Sequence, residues 1–95
     1  MLQEIYIIDE DKAIKETLKE MFKGDKGYRF TSVPESKLEV ALKNIPSLII
    51  INEDALESQN AIDMCNTIKQ DEDNSITPII VLSSNKEHEH KLEML

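Results

Sequence analysis

Ninety-five residues make one domain, and a chain this long buries roughly 60–65% of its unfolded surface, enough for one modest core. Apolar residues at 40% and charged residues at 32% fit a globular fold and exclude a disordered tail. The net charge of −8, with the eleven Lys and Arg spread along the chain, excludes a nucleic-acid surface, and no apolar run approaches the roughly 20 residues of a membrane span.

The first residues lack the basic, apolar and small-residue segments of a signal peptide. Cys65 is the only cysteine, so no disulfide can form within the chain and a reducing cytoplasm is the expected compartment.

Taken in order, Glu4-Ile-Tyr-Ile-Ile8 predicts a short strand that ends in the acids Asp9, Glu10 and Asp11. A helix is expected from about Lys12 to Phe22, with Ala13, Ile14, Thr17, Leu18, Met21 and Phe22 on one face. Asp11 is placed to cap it, and Gly24 stands where a left-handed residue often ends a helix. Tyr28 to Val33 alternates weakly and is rich in Tyr, Phe and Thr, as an edge strand is.

Pro34 opens a second expected helix, about Glu35 to Asn44, with Leu38, Ala41, Leu42 and Ile45 inward. Leu48 to Ile51 is a continuous apolar run, three of its four residues β-branched, and predicts a strand buried on both faces. It stops at Asn52, followed by a polar loop. Asn60 then caps a third expected helix, about Ala61 to Lys69, with Ile62, Met64, Cys65 and Ile68 as its apolar stripe.

Asp71 to Ser75 has the composition of a solvated acidic loop, and Ile79 to Leu82 that of a second doubly buried strand. Ser84-Asn-Lys-Glu87 has the form of a capping box for a last helix, about Asn85 to Leu95. Strands alternating with helices predict right-handed crossovers and a doubly wound parallel α/β sheet. The expected form is a three-layer flavodoxin-like sandwich, strand order 2-1-3-4, central strand Leu48–Ile51. With Ile79–Leu82 as the last strand, the sequence has the look of a chain cut short. Its unprotected edge predicts self-association through the fourth strand and last helix, most simply as a homodimer.

Three strand ends meet at one rim: Asp9-Glu10, Asn52, and Ser83-Ser84. Acids there hold a magnesium ion through oxygen, a central carboxylate attacks phosphorus, and a hydroxyl binds a phosphoryl oxygen. The residue at the central position is an amide. Plainer roles exist for the same residues: helix-start acids favoured by the dipole, a hydrogen-bonding strand end at Ser83, a core Cys65, and solvated His88 and His90.

The segments Ile5-Tyr-Ile-Ile-Asp-Glu-Asp11, Pro46-Ser-Leu-Ile-Ile-Ile-Asn52 and Thr77-Pro-Ile-Ile-Val-Leu-Ser83 resemble the receiver domain of bacterial two-component response regulators. The resemblance runs from residue 3 to 95. It implies a receiver-like fold, a magnesium site on Asp9 and Glu10, a phosphoacceptor position at Asn52 and a switch hydroxyl at Ser83. The departures are as informative. Asn52 replaces the nucleophile, and Leu56 and Asn60 stand where the family has Pro and Gly. The spacing into the third helix is longer than the family's by one residue, and a fifth strand with its phosphate-contacting Lys is missing from the expected elements.

The expectation is a degenerate receiver, a non-enzymatic regulatory module of phosphorelay signalling that does not accept phosphate at Asn52. It requires no cofactor and keeps at most a weak remnant magnesium site on Asp9, Glu10 and Asn52. Protein partners are implied, a histidine kinase or an output domain. One alternative is a phosphorylatable receiver using another acid, such as Asp54. Another is a flavodoxin-like ligand binder, which needs a Gly- or Ser/Thr-rich loop where three acids stand.

Overall fold

The computed structural model describes residues 2–9, 12–56, 60–83 and 91–94. Four strands are parallel-paired: the apolar β1 (Gln3–Ile8), β3 (Leu48–Asn52) and β4 (Ile79–Ser83), and the more polar edge strand β2 (Tyr28–Val33). They are all parallel, in the order β2-β1-β3-β4. The helices are α1 (Ala13–Met21), α2 (Leu38–Ala41) and α3 (Ala61–Gln70), with the 3-10 segment Glu35–Lys37 leading into α2. The expected flavodoxin-like, doubly wound α/β fold is the fold observed.

Each strand divides its side chains between two layers, because successive residues point to opposite faces. Tyr6, Ile8, Ile49, Ile51, Ile79 and Val81 meet Leu38 and Leu42 of the α2 region and Ala61, Met64, Cys65 and Ile68 of α3. This is the main core. Ile49, Ile51, Met64, Ile68 and Ile79 are completely buried, each aliphatic side chain contributing about 1.5–3 kcal/mol. On the other face Ile5, Ile7 and Ile50 pack with Ile14 and Leu18 of α1.

That second face is thinner. No residue of α1 is fully buried, and Met21 and Phe22, expected in the core, are largely exposed. The Phe22 ring lies over β2 instead, with ring centres 5.4 Å from Tyr28 and 5.8 Å from Phe30. Ile45 and Ile62, also expected inward, are exposed. Ile45 lies past the end of the short α2, where the chain turns into β3, and Ile62 falls on the solvent side of α3. Gly24 does not adopt a left-handed conformation; α1 ends through turn hydrogen bonds from Phe22 N to Leu18 O and Lys23 N to Glu20 O. Asp11, the expected cap of α1, lies outside the described residues, whereas Asn60 caps α3 as expected by accepting from Asp63 N at 2.8 Å.

The acidic stretch after α3 is not simply a solvated loop. Asn74 is completely buried. Its Nδ2 donates to Leu42 O at 3.1 Å and its Oδ1 accepts from Thr77 Oγ1 at 3.3 Å, tying the end of α2 to the start of β4.

The expected last helix is corrected over Lys91–Met94, which form a fifth strand, β5, antiparallel to β4. The capping-box reading of 84–87 falls on residues outside the described set. The physical reason for a strand is twofold. Lys-Leu-Glu-Met alternates at period two, and the open edge of β4 carries backbone groups that an added strand satisfies. The β4 edge is therefore paired within the chain, and the expected association through that edge loses its basis.

Candidate functional site at the carboxyl end of the sheet

A parallel sheet gathers the ends of its central strands on one rim. β1 and β3 are neighbours, with Ile8 opposite Ile51, so the residues that follow them, Asp9 and Asn52, are brought together. Asp9 is only 4% exposed. A carboxylate removed from water to that degree needs hydrogen-bond donors. Asn52 supplies one, with Nδ2 donating to Asp9 Oδ2 at 2.9 Å.

The other end of the amide is held as well. Asn52 Oδ1 accepts from Asp54 N at 3.2 Å, where the chain enters a 3-10 turn over Glu53–Ala55. These two bonds fix which way the amide faces. The reverse orientation would set Oδ1 against the Asp9 carboxylate and an N–H against the Asp54 N–H, leaving neither pair bonded. Asn52 is thus both the cap of the turn and the neutral partner of a buried acid.

The remaining rim positions follow from strand register. Asn52 stands opposite Leu82, and Ser83 continues β4 one residue further along the rim. Because β5 runs antiparallel, it begins at this same end, and Lys91 stands opposite Ser83. The sequence offers no lysine at the rim, because the helix expected over Asn85 to Leu95 includes Lys91. The period-two alternation of 91–94 was the signal that could have found it. Glu10, the second expected acid, lies outside the described residues.

The chemistry open to the Asp9–Asn52 pair is limited. An amide oxygen is neutral and a poor nucleophile toward phosphorus. Hard cations such as magnesium take oxygen ligands, yet Asn52 turns its N–H side to Asp9. A cation between the two would need Asn52 to present Oδ1 and give up its bond to Asp54. Among the described residues, no group of three or more His, Cys, Asp or Glu is placed to hold a metal. Asp54 is exposed, past the strand end, and contributes its backbone N–H to hold Asn52.

Among the described residues, Tyr6 and Cys65 of the core are shifted from their ordinary values. Burial, with a smaller push from Glu4, raises Tyr6 above the usual phenol range, and the Asn44 side chain offsets part of the rise; the Tyr6 hydroxyl donates to Asn44 O at 3.2 Å. Burial raises Cys65, with Lys69 partly opposing. Cys65 is therefore a protonated core thiol. Among the described residues, no helix is long and apolar enough to cross a membrane.

Scanned against protein-family models, the chain matches none. A search of curated proteins finds no match either.

Proposed function

We propose that this chain is a receiver-like regulatory module of two-component signalling that has given up phosphoryl transfer and acts by contact with other proteins. The observation that carries this reading is the 2.9 Å bond from Asn52 Nδ2 to Asp9 Oδ2. A carboxylate at residue 52 would face Asp9 across a gap suited to a divalent cation. The amide closes that gap with a hydrogen bond, so the rim is stable without metal and without phosphate. The parallel order β2-β1-β3-β4 supports the reading by setting residues 9, 52 and 83 on one rim, as the receiver resemblance requires.

In this reading the partners are a histidine kinase or an output domain, and the rim is a structural remnant rather than a switch. Any phosphorylatable alternative must use another acid, such as Asp54 in the turn past β3. The test is intact-mass analysis of the protein after incubation with acetyl phosphate and magnesium. The expected result is an unmodified chain. A phosphoryl adduct removed by hydroxylamine, as an acyl phosphate is, would overturn the proposal.

A further inference from the structure

Three of the four aromatic side chains gather on one surface, where α1 meets β2. Phe22, Tyr28 and Phe30 have ring centres 5.4, 5.8 and 6.3 Å apart. Phe30 packs on the smaller core with Ile14 and Leu18. Phe22 and Tyr28, however, are 41% and 40% exposed, and Met21, one residue before Phe22, is more exposed still.

Cations border the same surface. Lys15, Lys19 and Phe22 stand four and three residues apart, so they share one side of α1. Contact of the Phe22 ring with Tyr28 and Phe30 turns that side toward β2. Glu16 and Glu20 fall about a third of a turn further round, opposite Ile14 and Leu18. Lys23 and Lys26 follow in the turn into β2. Among the described residues, none of these four lysines is held in an ion pair. Arg29 is on the other face of β2, paired with Glu4 at 3.5 Å, and takes no part. Residues 12–30 hold six of the eleven cations against three acids, a net +3, and the remaining residues hold five cations against sixteen acids, a net −11.

β2 is also an edge of the sheet. It pairs with β1 on one side, and among the described residues no strand pairs with its other side. It runs six residues in unbroken register, without the Pro or bulge that commonly blunts such an edge. An extended segment can therefore join it through backbone hydrogen bonds.

We propose that the outer side of β2 takes an acidic extended segment of a partner protein as an added strand. Its side chains on the α1 face meet the ring cluster, and its carboxylates meet Lys15, Lys19, Lys23 and Lys26. Charge selects this occupant. A second copy joined two-fold through the same edge would set two segments of net +3 together. A bilayer or a nucleic acid is a broad anionic surface and meets the field of the whole chain, whose net charge is −8. A short acidic segment meets only charges within a screening length, about 8 Å, and there the lysines dominate. The inference does not rest on the signalling assignment, and its failure would leave the reading of the rim untouched.

The probe is a short fluorescent peptide of alternating Glu and Val, read by anisotropy, with its footprint read by amide chemical shifts. Its control has alternate backbone amides N-methylated, which removes donors to the ladder and leaves the charge unchanged. Binding is expected to weaken with salt, the shifts to cluster at residues 15–22 and 28–33, and the N-methylated peptide to bind about ten-fold more weakly or worse. Lys19→Glu is expected to weaken binding about five-fold or more. Lys37→Glu, the same charge change in the 3-10 segment before α2, is expected to leave it within about two-fold. Circular dichroism melts check that both variants fold. Equal binding of the two peptides would reduce the attraction to charge and overturn the inference, as would equal weakening by the two variants, shifts elsewhere or an absence of binding. A parent dimer that the peptide dissociates would make a second copy the occupant, and binding to phosphatidylserine vesicles but not to the peptide would make it a membrane; either result overturns the inference.

Discussion

Replacing Asn52 with Asp turns the rim's hydrogen bond into a clash of like charges, and the cost can be worked from the structure. Asn52 Nδ2 is 2.9 Å from Asp9 Oδ2, so the new carboxylate is held with its charge about 4 Å from that of Asp9. Two unit charges at that separation repel by about 4 kcal/mol at an effective dielectric constant of about 20. The charge-assisted hydrogen bond that is lost adds about 1.5–3 kcal/mol. Side-chain rotation and uptake of a shared proton relieve part of this, so the expected loss is about 2–4 kcal/mol at neutral pH without metal. For a domain with about 5–15 kcal/mol in all, that is a large fraction.

The sign with pH follows from linkage. Repulsion raises the folded-state pKa of the carboxyl pair in the variant above its unfolded value. The variant is then relatively most stable below the unfolded pKa and loses that stability as pH rises through the folded one. Its deficit against the parent should shrink on acidification. It should also shrink in millimolar magnesium, which takes the place of the missing donor. The assay is urea unfolding of both proteins, with chelator and with magnesium, at neutral and mildly acid pH. A deficit under about 0.5 kcal/mol, unchanged by magnesium or pH, would refute the reasoning, since surface substitutions fall in that range.

Asn74→Ala should cost about 2–4 kcal/mol, because it leaves Leu42 O and Thr77 Oγ1 without this partner in the interior; urea midpoints measure it, and a change under about 0.5 kcal/mol would count against the clamp. The buried Cys65 thiol, raised chiefly by desolvation, should react with a disulfide reagent far more slowly in the native than in the denatured protein. Its contribution to stability is complete below the unfolded thiol pKa and is lost as pH rises through the folded one, a slope that Cys65→Ala should remove. Backbone amides of β4 should exchange as slowly as those of β3, since both strands are paired on each side; rapid exchange along Ile79–Ser83 would contradict the β4–β5 pairing.

The parallel sheet was readable from three apolar runs and the weakly alternating edge strand Tyr28–Val33, and Leu48–Ile51 and Ile79–Leu82 fall where expected. The meeting of Asp9 and Asn52 followed from that topology alone. Side-chain direction was less readable. Met21, Phe22, Ile45 and Ile62 are apolar at helical spacing, yet they are exposed: Met21 and Phe22 close the short α1, Ile45 lies past the end of α2, and Ile62 falls on the solvent side of α3. Asn74 looked solvated because its neighbours are acids; its burial depends on a carbonyl at Leu42, 32 residues away, that no local pattern announces. Lys91–Met94 fitted two periodicities over so few residues, and only the open edge of β4 decides between them.

The most direct test of the central claim is amide chemical-shift mapping of the parent and Asn52→Asp proteins with beryllofluoride and magnesium, a mimic of an acyl phosphate. The parent should show no change at Asp9, Asn52 or Ser83 beyond what magnesium alone produces, because the amide at residue 52 offers no anionic oxygen to beryllium. The Asn52→Asp protein should show new shifts at those positions. Beryllofluoride-dependent shifts along the rim of the parent protein would contradict the account, since they would mean that a working acceptor carboxylate survives beside Asn52.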